Sequence, residues 1–211
     1  MPLPIVYSFR RCPYAMRARM AILAAGIKVE LREILLKDKP EAMLLASPKA
    51  TVPVLVLDDG TVIDDSLDVM LWALEQNDPE GWLDDAAMPL IEHNDGPFKA
   101  ALDRYKYPSR YEEESISTKE QRSICAATFD DYEKLLSRAQ YLLGDSQTIA
   151  DNAIFPFVRQ CANVDRAWFD GQPWPKLQTW LNGFLHSQRF ESIMRKFAPW
   201  QPGDSPLIFA D

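Results

Sequence analysis

The chain has 211 residues, of which 47% are hydrophobic and 26% are charged, and its formal net charge at pH 7 is −8. This length allows either one large domain or two smaller ones, each with an apolar core. The negative charge opposes sequence-independent binding to nucleic acid, because such binding needs basic side chains that neutralise phosphates. No apolar run approaches the roughly 20 residues that span a bilayer, so we expect no membrane partner.

The cysteines and histidines are too scattered to predict a disulfide framework or a zinc site. Cys12, Cys125 and Cys161 share no short spacing, and His93 and His186 lie far apart. Both later cysteines fall within helical patterns, which favours structural roles for them. We therefore expect reduced thiols, no metal, a cytoplasmic location and a small-molecule partner. Four arginines near residue 12 leave room for a local basic patch: Arg10, Arg11, Arg17 and Arg19.

The first 77 residues alternate between strand-like and helix-like patterns. Strands are predicted at residues 3–8, 28–34, 54–57 and 61–63, and helices at 13–25, 40–46 and 65–76. Pro13 and Gly26 mark the two ends of the first helix. The order βαβ-α-ββα predicts a four-stranded mixed sheet with three helices, which is the thioredoxin-like arrangement.

A turn-rich segment at residues 77–81 breaks this pattern, and strand signals almost vanish beyond it. Apolar residues then recur at helical spacing. The predicted helices cover residues 90–105, 118–142, 149–168 and 176–185. We therefore predict a thioredoxin-like domain over residues 1–77, a linker over 78–88 and an all-helical domain over 89–211.

Cys12 lies on the turn between the first predicted strand and the first predicted helix, directly before Pro13. There its thiol faces unpaired backbone N–H groups and the positive end of the helix dipole, and both favour the nucleophilic thiolate. The alternative is a buried cysteine that acts as a small hydrophobic side chain. Because a turn followed by proline is a poor place to bury a thiol, we favour a reactive Cys12.

Three further places in the first domain could bind a ligand, although each has an ordinary structural explanation. A cis bond between Val52 and Pro53 would present the Val52 backbone to an extended peptide, whereas a trans proline commonly begins a strand. The start of the third helix, with Asp65 and Ser66, could hold an ammonium and a carboxylate, or Asp64 or Asp65 could simply cap the helix. In the loop before the second helix, either Lys37 or Lys39 could reach a second carboxylate, or both could remain solvated.

In this order along the chain, the residues resemble the glutathione-binding domain of glutathione transferases, in particular the cysteine-bearing omega-like and bacterial kinds. The helical remainder is similar to the second domain of that superfamily. The segment from Thr148 to Asp151 resembles the N-capping box of the family, in which these two residues cap a core helix reciprocally. The resemblance therefore extends over the whole chain.

The resemblance implies that Cys12 is the catalytic thiol and that glutathione is the co-substrate. The implied glutathione contacts are the Val52 backbone beside a cis Pro53 for the cysteinyl part, Asp65 and Ser66 for the γ-glutamyl head, and Lys39 for the glycyl carboxylate. Many relatives have Glu or Gln in place of Asp65, so a shorter side chain must reach the amino group here. A homodimer is also implied by the family.

The motif Cys12-Pro13-Tyr14-Ala15 differs from the glutaredoxin-like Cys-Pro-Tyr-Cys pattern, because Ala15 removes the resolving thiol. This favours a monothiol route in which a second glutathione resolves the intermediate. An acceptor pocket is expected to use aromatic side chains, although packing in the helical core explains most of them equally well. The candidates are Tyr14, Tyr105, Tyr107 and Trp168.

The leading hypothesis is a glutathione-dependent thiol transferase acting on a small disulfide or electrophilic substrate, with thioltransferase, dehydroascorbate-reductase or deglutathionylation chemistry. Conjugation of glutathione to electrophiles is the nearest alternative, but Cys12 suits it less than a hydroxyl would. A non-enzymatic scaffold of the same fold is the third reading, and the retained thiol and glutathione contacts argue against it.

Overall fold

The computed structural model describes residues 2–210 and contains one sheet and a series of helices. The strands are β1 (Ile5–Ser8), β2 (Val29–Glu33), β3 (Val54–Val56), β4 (Val62–Ile63) and β5 (Ile208–Phe209). The helices are α1 (Pro13–Ala25), α2 (Glu41–Ala46), α3 (Ser66–Gln76), α4 (Met88–His93), α5 (Lys99–Lys106), α6 (Thr118–Leu136), α7 (Ile149–Ala162), α8 (Arg166–Asp170), α9 (Pro175–Leu185) and α10 (Gln188–Ile193). These residues form two compact units, Met1–Leu83 with Ser187–Asp211, and Asp84–His186.

The first unit is built on a mixed sheet with the strand order β4-β3-β1-β2-β5. β1 pairs in parallel with β2 and antiparallel with β3, while β4 and β5 are antiparallel to their neighbours. α1 packs against α3 and buries most of its residues. This arrangement confirms the thioredoxin-like prediction.

The ends of α1 follow from two residues of the sequence. Pro13 occupies the first turn, where its missing N–H is not needed. Gly26 ends the helix with φ of 65°, and its N–H donates to the Leu23 carbonyl at 3.2 Å. Glycine adopts this left-handed conformation without steric strain. Both predicted ends of α1 are confirmed.

The C-terminal segment differs from the prediction, because residues 187–211 pack with the first unit rather than with the helical one. β5 adds a fifth strand through pairing of Val29 with Phe209, and α10 packs against α1. The Trp200 N–H donates to the Glu33 carbonyl at 2.8 Å, and the Arg32 guanidinium lies 4.2 Å from the centre of a Trp200 ring. A two-residue strand has no alternating pattern, which is why the sequence did not predict it.

The second unit is helical and contains α4 to α9. A π-helical turn, Asn94–Phe98, joins α4 and α5 where the sequence predicts one helix. The predicted helix over 118–142 ends at residue 136, and the one over 149–168 stops at residue 162. Asp165 explains the second difference, because its side chain accepts the Trp168 N–H at 3.0 Å and begins α8.

The capping box at the start of α7 is confirmed. One oxygen of Asp151 accepts the Thr148 N–H at 3.0 Å, and the other accepts the Leu142 N–H at 3.0 Å and the Trp180 indole N–H at 2.9 Å. Burial raises the pKa of this carboxyl, while its hydrogen bonds oppose that shift. Asp151 therefore joins α7, α9 and the preceding loop in the core of the unit.

Within residues 2–210, no helix has both the length and the apolar character needed to cross a membrane.

Candidate active site

Cys12 is the N-cap residue of α1, directly before Pro13, in an extended conformation with φ of −73° and ψ of 124°. Its N–H donates to the Phe9 carbonyl at 3.0 Å, and its carbonyl accepts the Met16 N–H at 2.9 Å. These bonds fix the backbone on both sides of the thiol. The side chain is half-buried, so the sulfur stands at the positive end of a helix and retains access to solvent.

The peptide bond between Val52 and Pro53 is cis, as the resemblance implies. The Cys12 thiol donates to the Val52 carbonyl with an Sγ–O distance of 3.7 Å. Both residues pack on the same apolar cluster, which includes Tyr7 and Met43. The fold therefore brings together two predicted site residues that lie 40 positions apart in the sequence.

The Val52 N–H provides the donor of a possible backbone pairing site, and the Val52 carbonyl provides the acceptor. Among residues 2–210, no hydrogen bond is formed by the Val52 N–H. An extended peptide that pairs with a strand needs one donor and one acceptor from the same residue, and Val52 has both at the edge of the turn before β3. The Val52 backbone therefore presents both groups that such a pairing uses.

Asp65 and Ser66 lie at the first turn of α3 and differ in burial. Asp65 is exposed, and its Oδ1 accepts the Leu67 N–H at 2.8 Å, so it caps the helix. Ser66 is buried, and its Oγ accepts the Nε of Arg17 at 2.9 Å. The arginine therefore orients the Ser66 hydroxyl, which keeps its own proton for donation to an anionic group at the helix N-terminus.

Lys39 is half-buried between Asp38 and Pro40, just before α2. In the described part of the chain its ammonium forms no hydrogen bond or ion pair. Asp64, just before α3, is held by Ser47 at 2.5 Å and by Lys49 at 3.4 Å. The hydrogen bond from Ser47 is the main reason why the pKa of Asp64 lies below its ordinary value.

Two of the four arginines near Cys12 are buried, so they do not form the surface patch that their sequence positions suggest. Arg17 is 1% exposed and Arg19 is 2% exposed. Arg19 donates to the Ser8 hydroxyl and, at 2.8 Å, to the Arg10 carbonyl. Burial lowers its pKa to about 10, against the opposing influence of Glu33 and Cys12, so the guanidinium is charged at pH 7.

Hydrogen bonds of Arg10 and Arg19 hold in place the loop that precedes Cys12. The Arg10 N–H donates to a Glu33 carboxylate oxygen at 2.8 Å, and burial raises the pKa of Glu33. Sequence reasoning missed this structural role. The sequence does contain one indication of this role. The run that follows Ala18 is apolar apart from the charged residue Arg19.

The aromatic residues predicted to line an acceptor pocket have several different surroundings. Tyr14 lies on α1 with its ring 5.2 Å from the Arg17 guanidinium. In the second unit, Arg122 contacts both Tyr105, which is buried, and the Trp168 ring, at 4.7 Å. The Tyr107 ring lies 4.1 Å from the Arg110 guanidinium. Arg122 thus connects two of the four predicted residues.

The two other cysteines are buried in the second unit, on α6 and α7. A hydrogen bond between the side chains of Cys125 and Cys161, together with burial, raises the pKa of Cys161 well above its ordinary value. No group of three or more His, Cys, Asp or Glu side chains suited to a metal ion occurs among residues 2–210.

Two family models match this chain one after the other. The model described as "Glutathione S-transferase, N-terminal domain" matches residues 6–82, and the one described as "Glutathione S-transferase, C-terminal domain" matches residues 91–183. The chain belongs to the glutathione S-transferase superfamily. The half-exposed Cys12 lies in the part matched by the first model.

Curated relatives resemble this chain over a limited segment. Omega-1 glutathione S-transferase from Mus musculus is 42% identical over 62 residues, which is 29% of this chain and 26% of the mouse protein. The Rattus norvegicus omega-1 protein is 44% identical over a segment of the same coverage. The matched segment thus spans about a quarter of the length of these relatives.

Solved structures share the fold over nearly the whole of this chain. BphK, a bacterial glutathione transferase solved as a ternary complex, superposes with a TM-score of 0.77 at 20% identity, covering 90% of this chain and 97% of BphK. A Pseudomonas fluorescens family member with two glutathione molecules bound gives 0.77 at 15% identity, covering 91% and 92%. At these identities the likeness establishes the fold.

Proposed function

We propose that this protein is a glutathione-dependent thiol transferase that works through Cys12. The observation that supports this proposal most strongly is the position of the thiol. It lies on the N-cap residue of α1, is half-exposed, and is 3.7 Å from the carbonyl oxygen of Val52. A transferase that conjugates glutathione needs a donor to the glutathione sulfur, whereas a cysteine at this place can itself attack a disulfide.

In this proposal glutathione lies extended along the turn that precedes β3. The Val52 backbone, beside Pro53, pairs with the cysteinyl unit and brings the glutathione sulfur towards Cys12. Asp65 holds the γ-glutamyl ammonium. The Ser66 hydroxyl, oriented by Arg17, donates to the γ-glutamyl carboxylate at the N-terminus of α3.

Lys39 completes the proposed glutathione site through the glycyl carboxylate, because its ammonium has no partner among the described residues. The acceptor is proposed to contact aromatic side chains: Tyr14, Tyr105, Tyr107 and Trp168.

The proposed reaction has two thiol–disulfide exchanges. The Cys12 thiolate attacks the glutathionyl sulfur of a mixed disulfide, forming a Cys12–glutathione disulfide and releasing the substrate as a thiolate. A second glutathione thiolate then attacks the glutathionyl sulfur, restoring the Cys12 thiolate and leaving glutathione disulfide. In sum, the mixed disulfide and one glutathione thiol become the substrate thiol and glutathione disulfide, so the substrate is reduced and one glutathione is oxidised. Ala15 provides no second thiol, so glutathione must resolve the intermediate.

The decisive test is Cys12→Ser, with Cys161→Ala as the matched control, assayed with glutathione and hydroxyethyl disulfide. We expect Cys12→Ser to lose at least about a hundredfold in turnover, since removal of a covalent nucleophile commonly has an effect of this size or larger. The control should retain activity. Unchanged disulfide reduction by Cys12→Ser would overturn the proposal.

The same variants address the two rival readings. A rise in conjugation of 1-chloro-2,4-dinitrobenzene by Cys12→Ser, without any loss of disulfide reduction, would favour a conjugating transferase. A calorimetric titration of the wild type with glutathione that shows no binding would favour a non-enzymatic scaffold. Saturable binding that is weakened by Ser66→Ala would support the site described above.

A further inference from the structure

Arg19 places a positive charge in the interior of the first unit. It lies on α1 and is 2% exposed. Burial of a guanidinium is costly, and buried cations in proteins are usually paired with a carboxylate. Because burial lowers the pKa of Arg19 only to about 10, the group stays charged at pH 7.

The contacts of the Arg19 guanidinium do not account for its charge. It donates to the Ser8 hydroxyl and, at 2.8 Å, to the Arg10 carbonyl, and both of these acceptors are neutral. Among residues 2–210, its Nε–H has no hydrogen-bond partner and the guanidinium forms no ion pair. A neutral amide side chain could donate to the same acceptors, so the positive charge itself requires an explanation.

The charge of Arg19 acts on two acidic groups that it does not contact. Burial is the main cause of its lowered pKa, the charges of Glu33 and Cys12 oppose that shift, and the charge of Arg10 adds to it. An interaction between two charges is reciprocal, so the guanidinium favours the ionised forms of both Glu33 and Cys12. Burial works against the Glu33 carboxylate by raising its pKa. The Cys12 thiolate is therefore the second anion that this buried charge can stabilise.

Arg19 also fixes the turn that precedes Cys12. Side chains of a helix point towards its N-terminus, so Arg19 reaches back to the residues before α1. Its two hydrogen bonds hold Ser8 and Arg10. Between them, the Phe9 carbonyl accepts the Cys12 N–H at 3.0 Å. One side chain thus holds the backbone before the thiol and carries a charge near it.

The charged and titratable side chains of the elements around Cys12 are mostly basic. They are Arg10 and Arg11 on the preceding turn, Tyr14, Arg17 and Arg19 on α1, Glu33 on β2 and Asp65 at the start of α3. Arg11 and Asp65 are exposed, so solvent and salt screen them. Glu33 is the buried carboxylate of the group, and it opposes the effect of the arginines on the thiol.

We propose that Arg19 is a positioning residue for Cys12, with a buried charge that stabilises the thiolate and hydrogen bonds that hold the turn before it. This inference rests on the proposed function, in which the thiolate attacks a disulfide. The same charge assists the second exchange. When glutathione attacks the glutathionyl sulfur, the bond to Cys12 breaks and its electron pair returns to the Cys12 sulfur, which leaves faster as a stabilised thiolate.

The test measures the rate at which iodoacetamide alkylates Cys12 in the full-length protein, from about pH 5 to about pH 9.5, and takes the midpoint of each profile. The wild-type midpoint should lie below the ordinary cysteine value of about 8.5. Arg19→Gln keeps a donor but removes the charge, so it should raise the midpoint by about one pH unit. Arg19→Lys keeps the charge and should raise it less.

The shape of the profile separates the charge from a merely structural role. Below both midpoints, Arg19→Gln should react about tenfold more slowly than the wild type, because its thiolate fraction is about tenfold smaller. Towards pH 9.5 the two rates should converge. A displaced sulfur would instead lower the rate by the same factor at every pH.

Glu33→Gln makes the opposite change to the charge. Glutamine keeps an oxygen that can accept the Arg10 N–H but removes the anion that competes with the thiolate for Arg19. This variant should lower the midpoint, by about half a pH unit. Glu75→Gln, at an exposed position of α3, is the charge-matched control and should leave the midpoint unchanged.

An unchanged midpoint in Arg19→Gln, or a rise in both Arg19→Gln and Glu33→Gln, would overturn the proposal. If Arg19→Gln does not fold, Glu33→Gln decides alone, and a midpoint that is not lowered there would overturn it. The measurement uses neither glutathione nor a disulfide. The inference can therefore fail while disulfide reduction still depends on Cys12, and unchanged activity of Cys12→Ser would sink the proposed function without altering these midpoints.

Discussion

Cysteine residues occupy opposite environments in the two units. In the first unit, Cys12 is half-exposed at the start of a helix, where its Sγ lies 3.7 Å from a backbone carbonyl. In the second unit, Cys125 and Cys161 are 0% and 1% exposed, within α6 and α7. The first environment leaves the thiol accessible at the positive end of a helix, and the second favours a neutral thiol that packs as a small apolar group.

The aspartate residues that cap helices also differ in burial between the two units. Asp65 and Asp151 both cap helices, but Asp65 is exposed and accepts one backbone N–H, whereas Asp151 is fully buried and accepts several donors from three segments. A cap at the surface leaves a carboxylate oxygen for a ligand. A buried cap uses both oxygens to join helices, so it stabilises the fold and binds nothing else.

The largest expected effect is on thiol alkylation. With iodoacetamide under native conditions, Cys12 should react at least about a thousandfold faster than Cys125 or Cys161, because buried thiols react only after an opening whose free energy can approach that of global unfolding. Mass spectrometry of tryptic peptides over time gives the three rates. In urea the three rates should converge.

Cys12→Ser provides the control for this measurement, since its native form should take up no label on the timescale of Cys12 modification. Rapid native labelling of Cys161 would contradict the comparison, because it would mean that the helical core opens as readily as the start of α1.

The next effect is on stability. Asp151→Ala leaves the buried donors of Leu142, Thr148 and Trp180 without an acceptor, so it should lower the free energy of unfolding by about 3 kcal/mol. Asp65→Ala removes an exposed cap and should cost about 1 kcal/mol. Urea unfolding followed by circular dichroism measures both values.

Asp145→Ala, at an exposed position of the loop before α7, is the matched control and should change stability by less than about 0.5 kcal/mol. If Asp65→Ala destabilised the protein as much as Asp151→Ala does, the stated difference between the exposed and the buried aspartate cap would be wrong.

Much of the fold could be predicted from the sequence where single residues determine the backbone. Pro13 and Gly26 fix the ends of α1, and Thr148 with Asp151 fixes the start of α7. β5 and the return of residues 187–211 to the first unit could not be predicted. A strand of two residues depends on the partner that it pairs with, and its own sequence contains too little periodicity to reveal it.

The candidate site likewise has features that the sequence predicts and features that only the tertiary structure reveals. The sequence position of Cys12 was sufficient to predict a thiol at a helix start, because that depends on neighbours in the chain. The contact between Cys12 and Val52, and the bond from Arg17 to Ser66, join segments at least 40 residues apart and needed the tertiary structure. Charge alone suggested that Arg19 lies at the surface, whereas the fold buries it beneath the loop that leads to Cys12.

The smallest expected effect is a pH dependence that comes from the buried thiols. The hydrogen bond with Cys125, and then burial, hold the pKa of Cys161 well above its ordinary value in the folded protein. In the unfolded chain a cysteine ionises near pH ~8.5. The stability that Cys161 contributes is therefore fully present below this pH and is lost as the pH rises from there towards the folded pKa, because only the unfolded state releases the proton.

Between pH 8 and pH 9.5 this linkage should lower the stability of the wild type by about 1.3 kcal/mol more than that of Cys161→Ala. Urea unfolding across this range, with a phosphine reductant present, measures the difference. Between pH 6 and pH 8 the two proteins should differ by a constant amount, which serves as the internal control. Parallel curves up to pH 9.5 would mean that Cys161 ionises as readily in the folded core as in the unfolded chain, and the contrast between the two cysteine environments would then not hold.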